Sequence, residues 1–93
     1  MTIVWGRRAY DDLDAIADYL TGLSPGAAER IINRIQKAIS MLGDFPDLGA
    51  KVDETGLRRL VISGTPYVVF YRIFPGEVDV RGIFHAGQRR FLE

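Results

Sequence analysis

The sequence contains no cysteine and a single histidine among its 93 residues. The lack of cysteine excludes a disulfide framework and a thiolate-bound metal, and one histidine leaves too few ligands for a metal cage. We therefore expect no metal and no other cofactor. No apolar stretch approaches the roughly 18 residues of a membrane-spanning helix, and the start, MTIVWGRRAYDD, lacks the apolar segment of a secretory signal. The sequence predicts a cytoplasmic protein that does not contact a membrane.

The charges sum to zero but are distributed unevenly along the chain. Residues 1–57 carry nine acidic and six basic side chains, a net charge of −3. Residues 58–93 carry three acidic side chains and six arginines, a net charge of +3. Because arginine binds carboxylates and phosphates in a bidentate manner, we expect the C-terminal third to bind an acidic ligand. Six solvated surface arginines would give the same composition.

The first half of the chain predicts a short strand followed by two amphipathic helices. The apolar run at residues 3–5 (IVW), which Gly6 follows, predicts a strand of about four residues. The first helix begins at Arg7 and ends at Gly22, with one apolar face made by Ala9, Leu13, Ile16, Ala17 and Leu20. Ser24 and Pro25 are typical of a second helix start. Its apolar stripe is Ala28, Ile31, Ile35, Ala38, Ile39 and Leu42. About three residues separate the helices, which predicts an antiparallel hairpin.

The second half predicts a loop and then a three-stranded antiparallel meander. The loop, residues 44–56, is long enough to be mobile or functional, and we expect Phe45 and Leu48 to tuck underneath it. The strand at residues 67–74 (YVVFYRIF) is the most apolar and should be central. In the last strand, alternation predicts one face made by Val78, Val80, Gly82 and Phe84. The same alternation predicts an opposite face made by Glu77, Asp79, Arg81, Ile83 and His85.

The element order β-α-α-β-β-β predicts a single α+β domain over residues 1–93, with the helical hairpin packed on one face of a small antiparallel sheet. Alternation leaves two places for Arg72, either the helix side or the opposite face of the sheet. Because an unpaired buried charge is very costly, we expect Arg58 or Arg72 to pair with a carboxylate, within the chain or on a partner.

The residues with possible chemistry lie on or just beyond the last three strands. They are Arg58, Arg72, Arg81, His85, Arg89 and Arg90. A histidine can act as acid or base near neutral pH, and arginines can hold phosphates, which together are the parts of a metal-independent ribonuclease. The alternatives are a structural histidine at a strand end and arginines that pair within the sheet.

Motifs along nearly the whole chain resemble those of the RelE/ParE toxin superfamily. The first is W-x-x-x-A-x-x-D-L-x-x-I-x-x-Y, from Trp5 to Tyr19, and the second is P-x-A-A-x-R-x-x-x-x-I, from Pro25 to Ile35. G-L-R-R-L (56–60), Y-V-V-F-Y-R (67–72) and I-F-H (83–85) follow in order. The resemblance implies the toxin of a type II toxin–antitoxin pair, neutralised by a cognate antitoxin, ParD-like or of another family.

The superfamily has two branches, which either cleave mRNA on the ribosome or, in the ParE-like case, poison DNA gyrase. This chain departs from the nuclease pattern, since residues 58–60 contain no lysine and Val68 stands where those nucleases tend to have arginine. The leading hypothesis is therefore a gyrase poison. The residues expected to bind antitoxin or target are Arg58, Arg59, Arg72, Arg81, His85, Arg89 and Arg90.

Two alternatives stay open. One is a ribosome-dependent mRNA endonuclease in which His85 is the acid or base and Arg58, Arg72 and Arg81 hold the phosphate. The other is a degenerate member that only binds its antitoxin.

Overall fold

The computed structural model describes residues 1–87. Its elements are β1 (Thr2–Trp5), α1 (Arg7–Leu23), α2 (Pro25–Met41), a 3₁₀ turn (Pro46–Leu48), β2 (Ala50–Lys51), β3 (Arg58–Val61), β4 (Tyr67–Phe74) and β5 (Glu77–His85). The strands form one sheet in the order β1-β5-β4-β3-β2. The α+β class and the predicted element order are confirmed, and β4 takes the central position that its apolar sequence predicts.

Two pairings in the sheet differ from the predicted meander. β1 runs parallel to β5, with Thr2 opposite Glu77 and Trp5 opposite Val80, so the sheet is mixed. β2 is a two-residue strand inside the predicted loop, and it pairs with the start of β3. Parallel neighbours need a long crossover connection, which the helical hairpin and the intervening strands supply.

A single residue, Ser24, links the two helices. Its N–H donates to the Leu20 carbonyl at 2.8 Å and closes α1, while its Oγ accepts the Ala27 N–H at 3.4 Å and opens α2. The predicted serine cap is confirmed, and the link is shorter than the three residues expected. Within residues 1–87, neither helix has the length and hydropathy needed to cross a bilayer.

The core lies between the helical hairpin and one face of the sheet, called here the helix side. The helices contribute their predicted stripes, and the sheet contributes Val69 and Tyr71 of β4 with Val78 and Val80 of β5. All four of these sheet residues have no exposed surface. Burial of a valine-sized side chain contributes about 1.5–3 kcal/mol, so this layer holds the hairpin on the sheet. Arg72 alternates with these residues and lies on the opposite, back face.

A β-bulge in β5 changes which residues face the helices. Phe70 is opposite Gly82 and Tyr71 is opposite Val80, so Arg81 is an extra residue between the two pairs. Ile83, which follows the bulge, joins the same core as Val78 and Val80. The prediction that Ile83 and His85 share a face with Arg81 was therefore wrong, as was the grouping of Gly82 and Phe84 with Val78. One inserted residue shifts a period of two by one position.

The segment 44–56 is folded against the middle of β4. Phe45 and Leu48 are 57% and 49% exposed, so the prediction that they tuck underneath was wrong. The side chain beneath this segment is Tyr71, whose hydroxyl donates to the Pro46 carbonyl at 2.6 Å. A buried phenol already occupies the space, which leaves the two apolar side chains outside.

Candidate functional site

The back face of the sheet carries three of the predicted site arginines. Arg59 is opposite Phe70 across β3 and β4, and Arg72 is opposite Asp79 across β4 and β5. Arg81 lies beside Asp79 at the bulge. Alternation places Arg59 and Arg72 on this face, and the ion pair with Asp79 places Arg81 beside them. We call the surface made by these three arginines the basic face.

Arg72 is held by the turn that precedes β3. Its Nη2 donates to Thr55 Oγ1 at 2.8 Å, and the same hydroxyl donates to Asp53 Oδ1 at 2.5 Å. The pKa of the Asp53 carboxyl is lowered chiefly by this side-chain hydrogen bond, with further lowering by the N–H groups of Thr55 and Leu57 and by the Arg72 guanidinium. Arg72 is thus hydrogen-bonded to a hydroxyl group that is itself hydrogen-bonded to a carboxylate.

Arg81 has a carboxylate partner on its own strand. Its Nη1 lies 2.7 Å from Asp79 Oδ2, and the Asp79 side chain is only 16% exposed. A charge-assisted bond of this length to a largely buried acceptor fixes the guanidinium. An added phosphate would have to compete with Asp79 for it.

Arg58 lies on the helix side, because it is opposite Tyr71. Its Nη1 donates to the Gly49 carbonyl at 2.6 Å and its Nη2 lies 3.2 Å from Asp47 Oδ1. The prediction that Arg58 or Arg72 pairs with a carboxylate is confirmed for Arg58. The side chain is 16% exposed, so it fastens the 3₁₀ turn to the sheet and offers little surface to a ligand.

The Tyr71 hydroxyl completes this fastening. It accepts the Gly49 N–H at 2.8 Å and donates to the Pro46 carbonyl. Burial raises the pKa of Tyr71, while the Gly49 N–H and the Arg58 guanidinium oppose the rise. We call Asp47, Gly49, Arg58 and Tyr71 the turn latch; sequence analysis identified only its arginine.

His85 ends β5 on the helix side, opposite Tyr67. The two rings meet edge to face with centroids 5.6 Å apart, and His85 Nδ1 accepts the Gly87 N–H at 3.0 Å. Both rings line an open groove of ≈ 820 Å³ between α1 and the end of β5, which Arg8 and Tyr19 also line. Burial, followed by the nearby Tyr19, raises the pKa of Tyr67.

Asp12 of α1 has a role in this groove that sequence analysis did not assign. Its Oδ2 accepts the Ile83 N–H at 3.0 Å, where β5 extends past the end of β1. The neighbouring Arg8 places its guanidinium 4.6 Å from the centroid of the Phe84 ring, within cation–π range. Asp12 belongs to the D-L pair of the first motif, but the motif did not indicate this contact.

The structure thus divides the predicted site residues. Arg59, Arg72 and Arg81 share the back face, whereas Arg58 and His85 lie on the helix side, His85 at the start of β4 and Arg58 beside its middle. Their partners on β4, Tyr71 and Tyr67, are four residues apart, about 13 Å at a rise of roughly 3.3 Å per residue. Arg89 and Arg90 lie outside the described residues.

Comparisons with known proteins agree with this architecture. The family model described as the ParE toxin of the type II toxin–antitoxin system parDE matches residues 3–90. The protein named Toxin RelE2 from Caulobacter vibrioides is 40% identical over 86 residues, which is 92% of this chain and 96% of that protein. Putative toxin Y4kP from Sinorhizobium fredii is 34% identical over 87 residues, covering 94% of this chain and 90% of that protein.

Among solved structures, a chain of the chromosomal ParDE TA system from P. aeruginosa matches with a TM-score of 0.81 and 26% identity. The match covers 91% of this chain and 95% of that chain. The sequence motifs, the hairpin-on-sheet architecture and the family model converge on one assignment. The chain belongs to the ParE toxin family of type II toxin–antitoxin systems.

Proposed function

We propose that this toxin is a ParE-like poison of DNA gyrase, which acts by binding and without bond chemistry of its own. One observation carries the proposal, namely that the candidate nuclease residues do not surround one point. Arg58 and His85 lie on the helix side, while Arg72 and Arg81 lie on the back face. General acid–base catalysis needs its groups within hydrogen-bond reach of the same reacting atoms.

The partners of the arginines support the same reading. Arg58 is engaged by the Gly49 carbonyl and Asp47, and Arg81 by Asp79. A phosphate clamp works best with guanidinium groups that have no internal carboxylate ligand. These arginines are more readily explained as parts of the scaffold and of a charged binding surface.

A second candidate function is a ribosome-dependent, metal-independent mRNA endonuclease. Two observations favour it: relatives at 40% and 33% identity carry the names Toxin RelE2 and Toxin RelE3, and His85 shares a concave groove with Arg8. In this reading His85 would be the acid or base on a substrate seated in that groove, with Arg8 in place of the more distant arginines.

The partner that neutralises the toxin is, in this proposal, a cognate antitoxin in the same cytoplasm. The matched family model is that of a toxin paired with an antitoxin. The groove between α1 and the end of β5 has an apolar lining that includes Ile16, Leu20 and Ile83, which suits the apolar face of an antitoxin segment, and the basic face offers cations to acidic antitoxin residues.

The experiment is a gyrase cleavage assay with purified toxin, run beside a His85→Ala variant and a supercoiling control. We expect wild-type toxin to accumulate cleaved DNA and His85→Ala to retain most of this effect. Unchanged supercoiling and no accumulation of cleaved DNA would contradict the gyrase proposal.

Growth and mRNA analysis distinguish the other candidates. Growth arrest that His85→Ala abolishes, together with cut mRNA on ribosomes, would favour the nuclease, since loss of an acid or base lowers rates by roughly 10²–10⁴. Normal growth on expression without the antitoxin would indicate that the chain is a degenerate family member, which only binds its antitoxin.

A further inference from the structure

The two edges of the sheet differ in how they are protected. β2 forms one edge and has only two residues, one of which is Lys51. β1 forms the other edge with four residues, and it contains no charged residue and no proline. Short length, lysine and proline are usual means by which a sheet edge avoids pairing with another strand. The edge at β1 therefore lacks these protections.

Every second residue of β1 directs its backbone polar groups away from the sheet. The N–H groups of Thr2 and Gly6 donate inward to carbonyl groups on the β5 side, each at 3.0 Å. Because the direction of the N–H and C=O groups alternates along a strand, those of Ile3 and Trp5 point outward. Within the described part of the chain, no strand pairs with β1 on that side. The edge thus offers two donors and two acceptors.

This pattern of donors and acceptors is complementary to itself. If two copies pair antiparallel about a twofold axis at Val4, Ile3 of one copy lies opposite Trp5 of the other, and symmetry forms the same pair again. Each such pair can exchange two backbone hydrogen bonds. Every outward group of both strands then has a partner.

The side chains at this edge are suited to burial. Ile3 and Trp5 pack against the core on the helix side, and Trp5 lines a groove of ≈ 360 Å³ together with Tyr10 and Leu13. Tyr10 is 58% exposed, and Val4, which alternates with Ile3 onto the back face, is 38% exposed. Contact of Ile3 with Trp5 of a second copy would continue the apolar layer across the axis. Pairing would therefore cover apolar surface on both faces of the sheet.

Opposite charges lie at the two ends of β1. Arg7 follows the strand, and its 93% exposed side chain makes only a long contact of 3.9 Å with Asp11. The exposed Asp44 lies beside the start of the strand, because the carbonyl of the preceding Gly43 accepts the Met1 amine at 2.8 Å. Antiparallel pairing brings the end of one strand to the start of the other, so that Arg7 approaches Asp44 twice. This charge complementarity favours a second copy of the chain at the edge.

We propose that the toxin self-associates through β1, with two copies joined antiparallel at Val4 into one continuous sheet that contains the five strands of each copy. The backbone pattern, the apolar side chains and the charges all fit this arrangement. The inference does not rest on gyrase as the target or on the antitoxin, since it concerns a different surface.

The first test is sedimentation of full-length toxin by analytical ultracentrifugation over a range of concentrations, where we expect a monomer–dimer equilibrium. Val4→Lys places two lysines opposite each other at the axis and should raise the dissociation constant by about tenfold. Val61→Lys is the matched control, because it makes the same change at a 56% exposed position on the back face of β3. The control should stay within about twofold of the wild type. Equal effects of the two changes would overturn the proposed interface.

Charge exchange provides a second test that leaves β1 unaltered. Arg7→Asp and Asp44→Arg should each raise the dissociation constant of the dimer by about fivefold, because each change acts at both ends of the interface. The double variant restores opposite charges and should return to within about twofold of the wild type. If the two losses added up in the double variant, the antiparallel arrangement would be wrong.

Amide hydrogen exchange measured by NMR locates the interface directly. The N–H groups of Ile3 and Trp5 should become protected as the toxin concentration rises, whereas the inward N–H of Val4 should change little. A toxin that stays monomeric up to about 1 mM would overturn self-association. A dimer without new protection at Ile3 and Trp5 would overturn pairing through β1. Protection that appears only after antitoxin is added would assign this edge to the antitoxin and would also overturn the proposal.

Discussion

The buried hydroxyl of Tyr71 in β4 accepts a hydrogen bond from the backbone N–H of Gly49 at 2.8 Å. Twenty-two residues of chain separate the two groups, so this bond ties the segment after α2 to the centre of the sheet. Arg58 and Asp47 close the same latch from the neighbouring strand.

Tyr71→Phe should lower the free energy of unfolding by about 1–3 kcal/mol, because the Gly49 N–H would lose its acceptor in a buried place. Urea unfolding followed by circular dichroism measures the change. Tyr67→Phe is the matched control, since it removes a phenol from the same strand and no hydrogen bond of that phenol is recorded among residues 1–87. The control should stay within about 0.5 kcal/mol of the wild type. Equal effects of both changes would contradict the role assigned to the Tyr71 hydroxyl.

Gly49→Ala should destabilise by about 1–3 kcal/mol, the usual cost of overpacking. A Cβ at Gly49 would lie 2.7 Å from the Tyr71 hydroxyl oxygen and 2.9 Å from the Arg59 carbonyl oxygen. Gly22→Ala is the comparison, because nothing lies within 4 Å of a Cβ there and the residue is in α1. It should stabilise by about 0.5–1 kcal/mol. In thermal unfolding, the midpoint should fall for Gly49→Ala and rise for Gly22→Ala. Shifts in the same direction would contradict the crowding at Gly49.

Arg58→Ala should cost about 1–3 kcal/mol of unfolding free energy, because it opens the latch and leaves the Gly49 carbonyl without its donor. Arg59→Ala, at the next residue and on the exposed back face, should change stability by less than about 0.5 kcal/mol. Comparison of these two variants distinguishes an arginine that stabilises the fold from an exposed arginine on the same strand. Loss of toxicity in Arg58→Ala with unchanged stability would mean that this arginine contacts the target instead.

The two raised tyrosine pKa values predict alkaline sensitivity. Burial raises the pKa of Tyr67 and Tyr71 in the folded state, so the folded protein favours the neutral phenols. This stabilisation is fully present below the ordinary phenol pKa of about 10 and is lost as the pH rises through the higher folded-state values. The free energy of unfolding should therefore fall above about pH 10. The double variant Tyr67→Phe, Tyr71→Phe should show a smaller fall. If the free energy of unfolding of the variant and the wild type fell in parallel with pH, the two tyrosines would not be its cause.

The features that the sequence predicted correctly have local causes. Ser24 and Pro25 begin α2 because capping and the fixed proline φ act within one turn. The apolar stripes of both helices follow from the helical period. The expectation of a carboxylate for Arg58 came from the cost of burying a charge, which depends on the residue type more than on the fold.

The features that were not predicted depend on contacts between segments that are distant in the sequence. The bulge at Arg81 depends on how β5 fits β4, and it moved His85 to the face opposite Arg81. Gly82 was the available signal, since an isolated glycine in a strand often marks a bulge. A Cβ there would lie 2.8 Å from the Phe84 ring. The Asp12 bond to Ile83 spans 71 residues, which no local pattern reports.

The parallel pairing of β1 with β5 also sets the order of events during synthesis. Thr2 meets Glu77, so the first strand waits for a partner 75 residues later in the chain. At roughly 5–20 residues per second, that wait lasts several seconds on the ribosome. Until residues 77–80 emerge, β1 has no neighbour and the sheet cannot close around its central strand. A chain that stops short of β5 lacks the partner of β1 as well as β5 itself, so the native sheet forms only after residues 77–80 have been synthesised.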